Sequence, residues 1–79
     1  MKETVDVDCT FAANGQVRVR RLRRGDRWEP VEQGRQWFDE AGRHVLVMLP
    51  NGTVSELILS LPDLQWHLTE RPGGNLQIV

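Results

Sequence analysis

Six arginines fall within the thirteen positions of QVRVRRLRRGDRW, residues 16–28, in a chain of 79 residues with a formal net charge of −1. Two kinds of chemistry fit Arg18, Arg20, Arg21, Arg23, Arg24 and Arg27. Clustered guanidinium groups beside an aromatic ring, here Trp28 or Trp37, can hold the phosphates and stack the bases of a nucleic acid. The same groups can stand on the solvent face of a strand and be neutralised by carboxylates on its neighbour. The charge distribution favours the second. Residues 1–15 carry −2, 16–27 carry +5, 28–40 carry −3 and 41–79 carry −1. Acid flanks the basic run on both sides, and no whole-molecule field steers the chain toward polyanions. The RGD at 24–26 is a tripeptide that chance supplies, and no adhesion reading is attached to it.

The remaining reactive residue types point away from catalysis. Cys9 with His44 or His67 would suggest a thiol nucleophile, but Cys9 stands between Val7 and Phe11 at an apolar strand position, where burial raises a thiol pKa. The two histidines have no Asp, Glu or Cys at metal-ligand spacing. Ser55 and Ser60 lack a nucleophile-elbow pattern, and no glycine-rich loop precedes a helix. The expectation is therefore no enzyme, no catalytic residue, no metal and no cofactor.

The elements that position these residues read as strands. In TVDVDCTF, Val5, Val7, Cys9 and Phe11 alternate with Thr4, Asp6, Asp8 and Thr10, the period of a half-buried strand. Val17 and Val19 alternate with Arg18 and Arg20 in the next run. A two-residue Asn14-Gly15 loop would face Phe11 with Arg18. A three-residue loop, Ala13-Asn14-Gly15, faces Phe11 with Val17 and Cys9 with Val19, and so keeps apolar residues on one side. Leu22 is out of phase with Val17 and Val19, so a β-bulge at Arg20-Arg21 is predicted to return it to the core. That register sets Asp8 opposite Arg20 and Asp6 near Arg21.

A second turn is expected at Gly25-Asp26. An edge or bent strand follows near 27–32, with a single helical turn in 29–36 as the alternative, then a short strand around 36–38. RHVLVML, apolar on both faces, reads as a central strand. Pro50-Asn51-Gly52 repeats the Ala13-Asn14-Gly15 grammar and faces Val45 with Leu57 and Val47 with Ser55. Leu64, Trp66 and Leu68 alternate in a further strand, RPGGN is a loop, and LQIV is a closing edge strand. No helix-period segment reaches ten residues. The fold class is all-β, a single domain over 1–79. Six to seven short antiparallel strands would form a small SH3-like barrel or a compact sandwich.

Trp37 and Phe38 are adjacent, so a strand points them to opposite faces. With Leu46, Met48, Val54 and Ile58 they offer more apolar surface than one thin core layer needs, and they form the candidate interaction surface. A chain this small buries roughly 60% of its unfolded surface. Its one cysteine rules out an internal disulfide and suits a reducing cytoplasm. The start, MKETVDVDC, has no apolar signal-peptide core and no run approaches 18 apolar residues, so a cytoplasmic protein away from membranes is expected. Nine arginines against one lysine fit a GC-rich bacterial genome.

Trp28 and Val31, Trp37, Gly52, Glu56-Leu57, and Trp66 with Leu68 resemble the pattern of a group of small uncharacterised bacterial β-domains. The resemblance spans about two-thirds of the chain, which lacks the longer insertion expected after Trp37. It implies a small β-barrel-like domain with no assigned activity. The functional expectation is an accessory protein-interaction module with an unidentified protein partner or a second copy of itself. The alternative is a nucleic-acid-binding small barrel that uses the Arg18–Arg27 row.

Overall fold

The computed structural model describes residues 2–70, and the predicted RPGGN loop and LQIV strand lie outside the described residues. Eight short strands follow one another: β1 (Lys2–Thr4), β2 (Asp6–Phe11), β3 (Val17–Arg24), β4 (Arg27–Pro30), β5 (Glu32–Asp39), β6 (Gly42–Met48), β7 (Val54–Ser60) and β8 (Trp66–Glu70). They form two antiparallel sheets, one of order β1-β8-β7-β6-β5 and one of order β2-β3-β4. The all-β expectation holds. The strand count exceeds the predicted six to seven, and the sheets do not close into a barrel among the described residues. No helical turn interrupts 29–36.

The two asparagine-glycine loops are built alike, as their shared grammar predicts. Ala12 N–H donates to Gln16 O at 2.8 Å and Leu49 N–H to Thr53 O at 2.9 Å. In each loop the asparagine Oδ1 accepts the N–H two residues on, at 3.0 and 2.9 Å. Gly15 and Gly52 both sit at φ 88°, a conformation that costs glycine nothing. Both registers are as expected: Phe11 faces Val17 and Cys9 faces Val19, while Val45 faces Leu57 and Val47 faces Ser55. The predicted bulge is present, with Asp8 opposite Arg21, Cys9 opposite Val19 and Arg20 the extra residue. It returns Leu22 to complete burial. The carboxylate partners therefore move along β3 from the expected pairing, Asp8 from Arg20 to Arg21 and Asp6 from Arg21 to Arg23.

Three departures arise from tertiary packing. The first alternating run is not one strand. It breaks at Val5, whose N–H donates to Trp66 O at 3.0 Å, so β1 pairs with β8 while β2 pairs with β3. Val5 itself is buried in the core at this corner, where one chain segment serves both sheets. Phe11, expected in the core, lies at the hairpin end of β2 and is 50% exposed. Leu64 belongs to a turn rather than β8: its φ is 57°, its N–H donates to Ser60 O and its side chain is 71% exposed.

The core joins both sheets. Val5, Val17, Val19 and Leu22 meet Val45, Val47, Leu49, Leu57 and Leu68, and Trp66 packs against them from one side. The two β5 residues Gln33 and Gln36 face Val47 and Val45, so Gly34 and Arg35 of β5 together oppose Leu46 of β6. This second bulge turns both glutamines toward the three-stranded sheet, although a regular strand would send residues three apart to opposite faces.

Candidate interaction surface

Five arginines of the basic row lie on β3 and Arg27 opens β4, and the acidic partners come from β2 and β4. Arg20 Nη2 donates to Asp8 Oδ1 at 3.0 Å and Arg21 Nε to Asp8 Oδ2 at 2.9 Å. Arg23 Nε donates to Asp6 at 2.9 Å, and Arg24 Nη2 reaches Glu29 at 3.2 Å. Hydrogen bonds from Arg20 and then Arg21 hold the Asp8 carboxyl below the usual carboxylate value. Four of the six arginines thus have a carboxylate neighbour. Arg18 and Arg27 have no ion pair among the described residues. Trp28 stands 40% exposed beside this row, with the Arg21 guanidinium carbon 4.6 Å and that of Arg23 5.5 Å from its ring centre.

Of the candidate apolar surface, Trp37, Leu46, Met48, Val54 and Ile58 share one face of the five-stranded sheet and Phe38 lies on the other. Leu46 and Val54 are 5% and 6% exposed, Met48, Ile58 and Trp37 are half-buried, and only Phe38 is well exposed at 58%. Trp37 faces His44 across β5 and β6, whereas Phe38 faces Arg43 on the opposite side of the sheet, the Arg43 guanidinium 5.5 Å from its ring centre. The alternation of adjacent strand residues, legible in the sequence, divides this pair.

Sequence reasoning missed the histidine chemistry. His44 Nε2 lies 2.8 Å from Asp39 Oδ1 and Nδ1 lies 2.6 Å from Glu56 Oε2, while Trp37 stacks on the imidazole with centres 4.9 Å apart. Burial alone would lower the His44 pKa, but the bonds to Glu56 and Asp39 more than reverse this and raise it above the ordinary value. The His44 bond in turn lowers the Asp39 carboxyl. His67 repeats the theme more loosely, with Asp63 at 3.2 Å and Thr4 Oγ1 at 3.3 Å. The signal for His44 was present: a Val45–Leu57 register sets Glu56 diagonally across from His44, within reach of a long side chain. Cys9 is a free, half-buried thiol whose pKa burial raises. No group of three His, Cys, Asp or Glu side chains among the described residues is arranged to hold a metal.

An open groove lies at the join between the sheets. β4 pairs with Arg21–Arg24 of β3, and Val31 N–H donates to Arg20 O at 3.1 Å, which leaves Val17–Val19 without a strand on that side. Side-chain amides take the strand's place. Gln36 accepts from Val17 N–H at 3.0 Å and donates to Val17 O at 2.8 Å. Gln33 accepts from Val19 N–H at 2.7 Å and also donates to Val17 O, at 3.0 Å. A groove of about 820 Å³ runs along this edge, with Arg18 and Arg20 on one side and Gln33 to Gln36 on the other.

No family model, no curated protein and no solved structure matches this chain. Of the resemblance drawn from its tryptophans, what stands is the architecture: a small all-β protein.

Proposed function

We propose that the protein is a non-catalytic interaction module that binds another polypeptide. The observation that carries this reading is the pairing of Arg20, Arg21, Arg23 and Arg24 with Asp8, Asp6 and Glu29. Carboxylates already seated against the guanidinium groups would have to be displaced by phosphates, which opposes polyanion binding. The open strand edge and its groove offer instead the backbone groups through which one polypeptide recognises another.

Panning a displayed library of random heptapeptides on the immobilised chain, followed by calorimetry on the selected peptides, tests the reading. Binders of about micromolar affinity, near −8 kcal/mol, are expected. A library that yields none would defeat it. One observation favours a second reading: exposed Trp28 beside two guanidinium groups has the make-up of a base-stacking platform. That reading requires retention on single-stranded oligonucleotide at about 50 mM salt, lost by about 200 mM as counterions compete. Our reading expects no retention at either salt.

A further inference from the structure

An unpaired strand edge exposes a row of backbone donors and acceptors, and proteins cover such edges because any extended chain can pair with them. Here the cover is unusual in kind. The Val17–Val19 edge is met by the amides of Gln33 and Gln36, which present a carbonyl and an N–H in one plane as a peptide group does. Gln36 exchanges two hydrogen bonds with Val17, the pattern of a hydrogen-bonded residue pair in an antiparallel ladder. These four contacts are part-buried rather than sealed, and the groove beside them is open to solvent.

The geometry points to this edge as the docking site for an extended acidic peptide, whose backbone takes the place of the Gln33 and Gln36 amides on β3. The inference rests on the interaction-module reading and names its site and partner. Hydrogen bonding dictates an extended polypeptide, since Val17 asks for a donor and an acceptor together and Val19 asks for an acceptor one residue-pair further on. The three residues Val17–Val19 span about 10 Å, so three to six peptide residues match the edge. The charge on the rim dictates an acidic partner. Arg18, on that rim, has no ion pair among the described residues, so no carboxylate has to be displaced from it. A polypeptide keeps its backbone bonds whatever its sequence, so the carboxylates supply selectivity.

The test is a titration of the isotope-labelled full chain with a capped hexapeptide of alternating valine and glutamate, read by amide resonances. Saturable shifts are expected at the Val17 and Val19 amides and at the side-chain amides of Gln33 and Gln36. The same peptide methylated on alternate backbone nitrogens is expected to lose binding, and a valine–lysine analogue to bind at least about tenfold more weakly. Arg18→Glu, an exposed change that leaves the core intact, is expected to reverse the preference between the two peptides. Gln36→Ala is expected to bind the glutamate peptide more tightly, because one competitor for Val17 is gone. Unmoved Val17 and Val19 signals at about 1 mM peptide, a concentration that reports even millimolar affinity, would overturn the inference. Shifts confined to another edge, such as β1 or β4, would remove this site and leave the module reading intact. Silence everywhere, together with an empty peptide library, would end both. Concentration-dependent shifts of Val17 and Val19 without peptide would assign the edge to a second copy of the chain and overturn the peptide partner.

Discussion

The two sheets carry two networks of opposite charges, and they are put together differently. On the three-stranded sheet Arg20, Arg21 and Arg23 lie along the outer face with Asp8 and Asp6, each side chain between 30% and 58% exposed. On the five-stranded sheet His44 is 11% exposed, held at both ring nitrogens and covered by Trp37. Water and salt screen the first network, whereas the second sits where removal of one partner leaves a polar group stranded. The same attraction therefore yields a solvated coat in one place and a structural clamp in the other. Exposure, not the number of charges, sets the difference.

The sharpest probe of whether the sheets share one cooperative unit lies beneath both networks. Leu57→Ala and Leu22→Ala empty fully buried sites in the large and small sheet, and each is expected to cost about 2–5 kcal/mol in urea unfolding. Because the core cluster joins the two sheets, one transition is expected for both variants. Separate loss of one sheet would contradict the shared core.

The clamp comes next. His44→Gln removes a two-sided hydrogen bond under Trp37 and is expected to cost about 1–3 kcal/mol near pH 6. Its pH dependence identifies the cause. A histidine whose pKa is raised in the folded state adds stability that is fully present below its ordinary value of 6.5 and is lost as pH climbs through the folded value. Asp39, lowered from 3.8, adds stability that is present above 3.8 and is lost as pH falls through its folded value. The gap between wild type and His44→Gln is thus expected to be widest between these limits and to narrow as pH climbs through the folded value of His44. A gap independent of pH would mean that Trp37 stacking, not charge, is what the variant loses.

Ser55→Ala is a smaller effect of opposite sign. Ser55 is fully buried and its hydroxyl has no hydrogen-bond partner among the described residues. Its removal is expected to be neutral or to raise stability by about 1 kcal/mol, measured by the same urea transition. The smallest effect is expected from Asp8→Asn on the exposed network: no resolvable change in the urea midpoint at about 1 M salt, where charges are screened within about 3 Å. A loss comparable to that of His44→Gln would erase the contrast between the two sheets.

Both asparagine-glycine hairpins, their registers and the bulge before Leu22 could be read along the chain, because each follows from contacts less than about twenty residues apart and from the requirement that apolar residues share a face. The His44 site was half legible. The register placed Glu56 on the diagonal, while Asp39 arrives across the Glu40-Ala41 turn, whose geometry no alternation pattern reveals. Gln33 and Gln36 were not legible at all. Their spacing denies them a common face until a bulge, set by pairing with β6, turns both toward β3.

The order of apolar and polar residues, with its turn signals, was enough to determine strands, hairpins and the carboxylates beside the basic row, because these depend on period and short-range pairing. Where Val5 hands the chain from one sheet to the other, and which edge is left for glutamine amides to cover, depended on how two sheets pack over one small core. That choice is made by contacts between distant segments, for which no local pattern carries a trace.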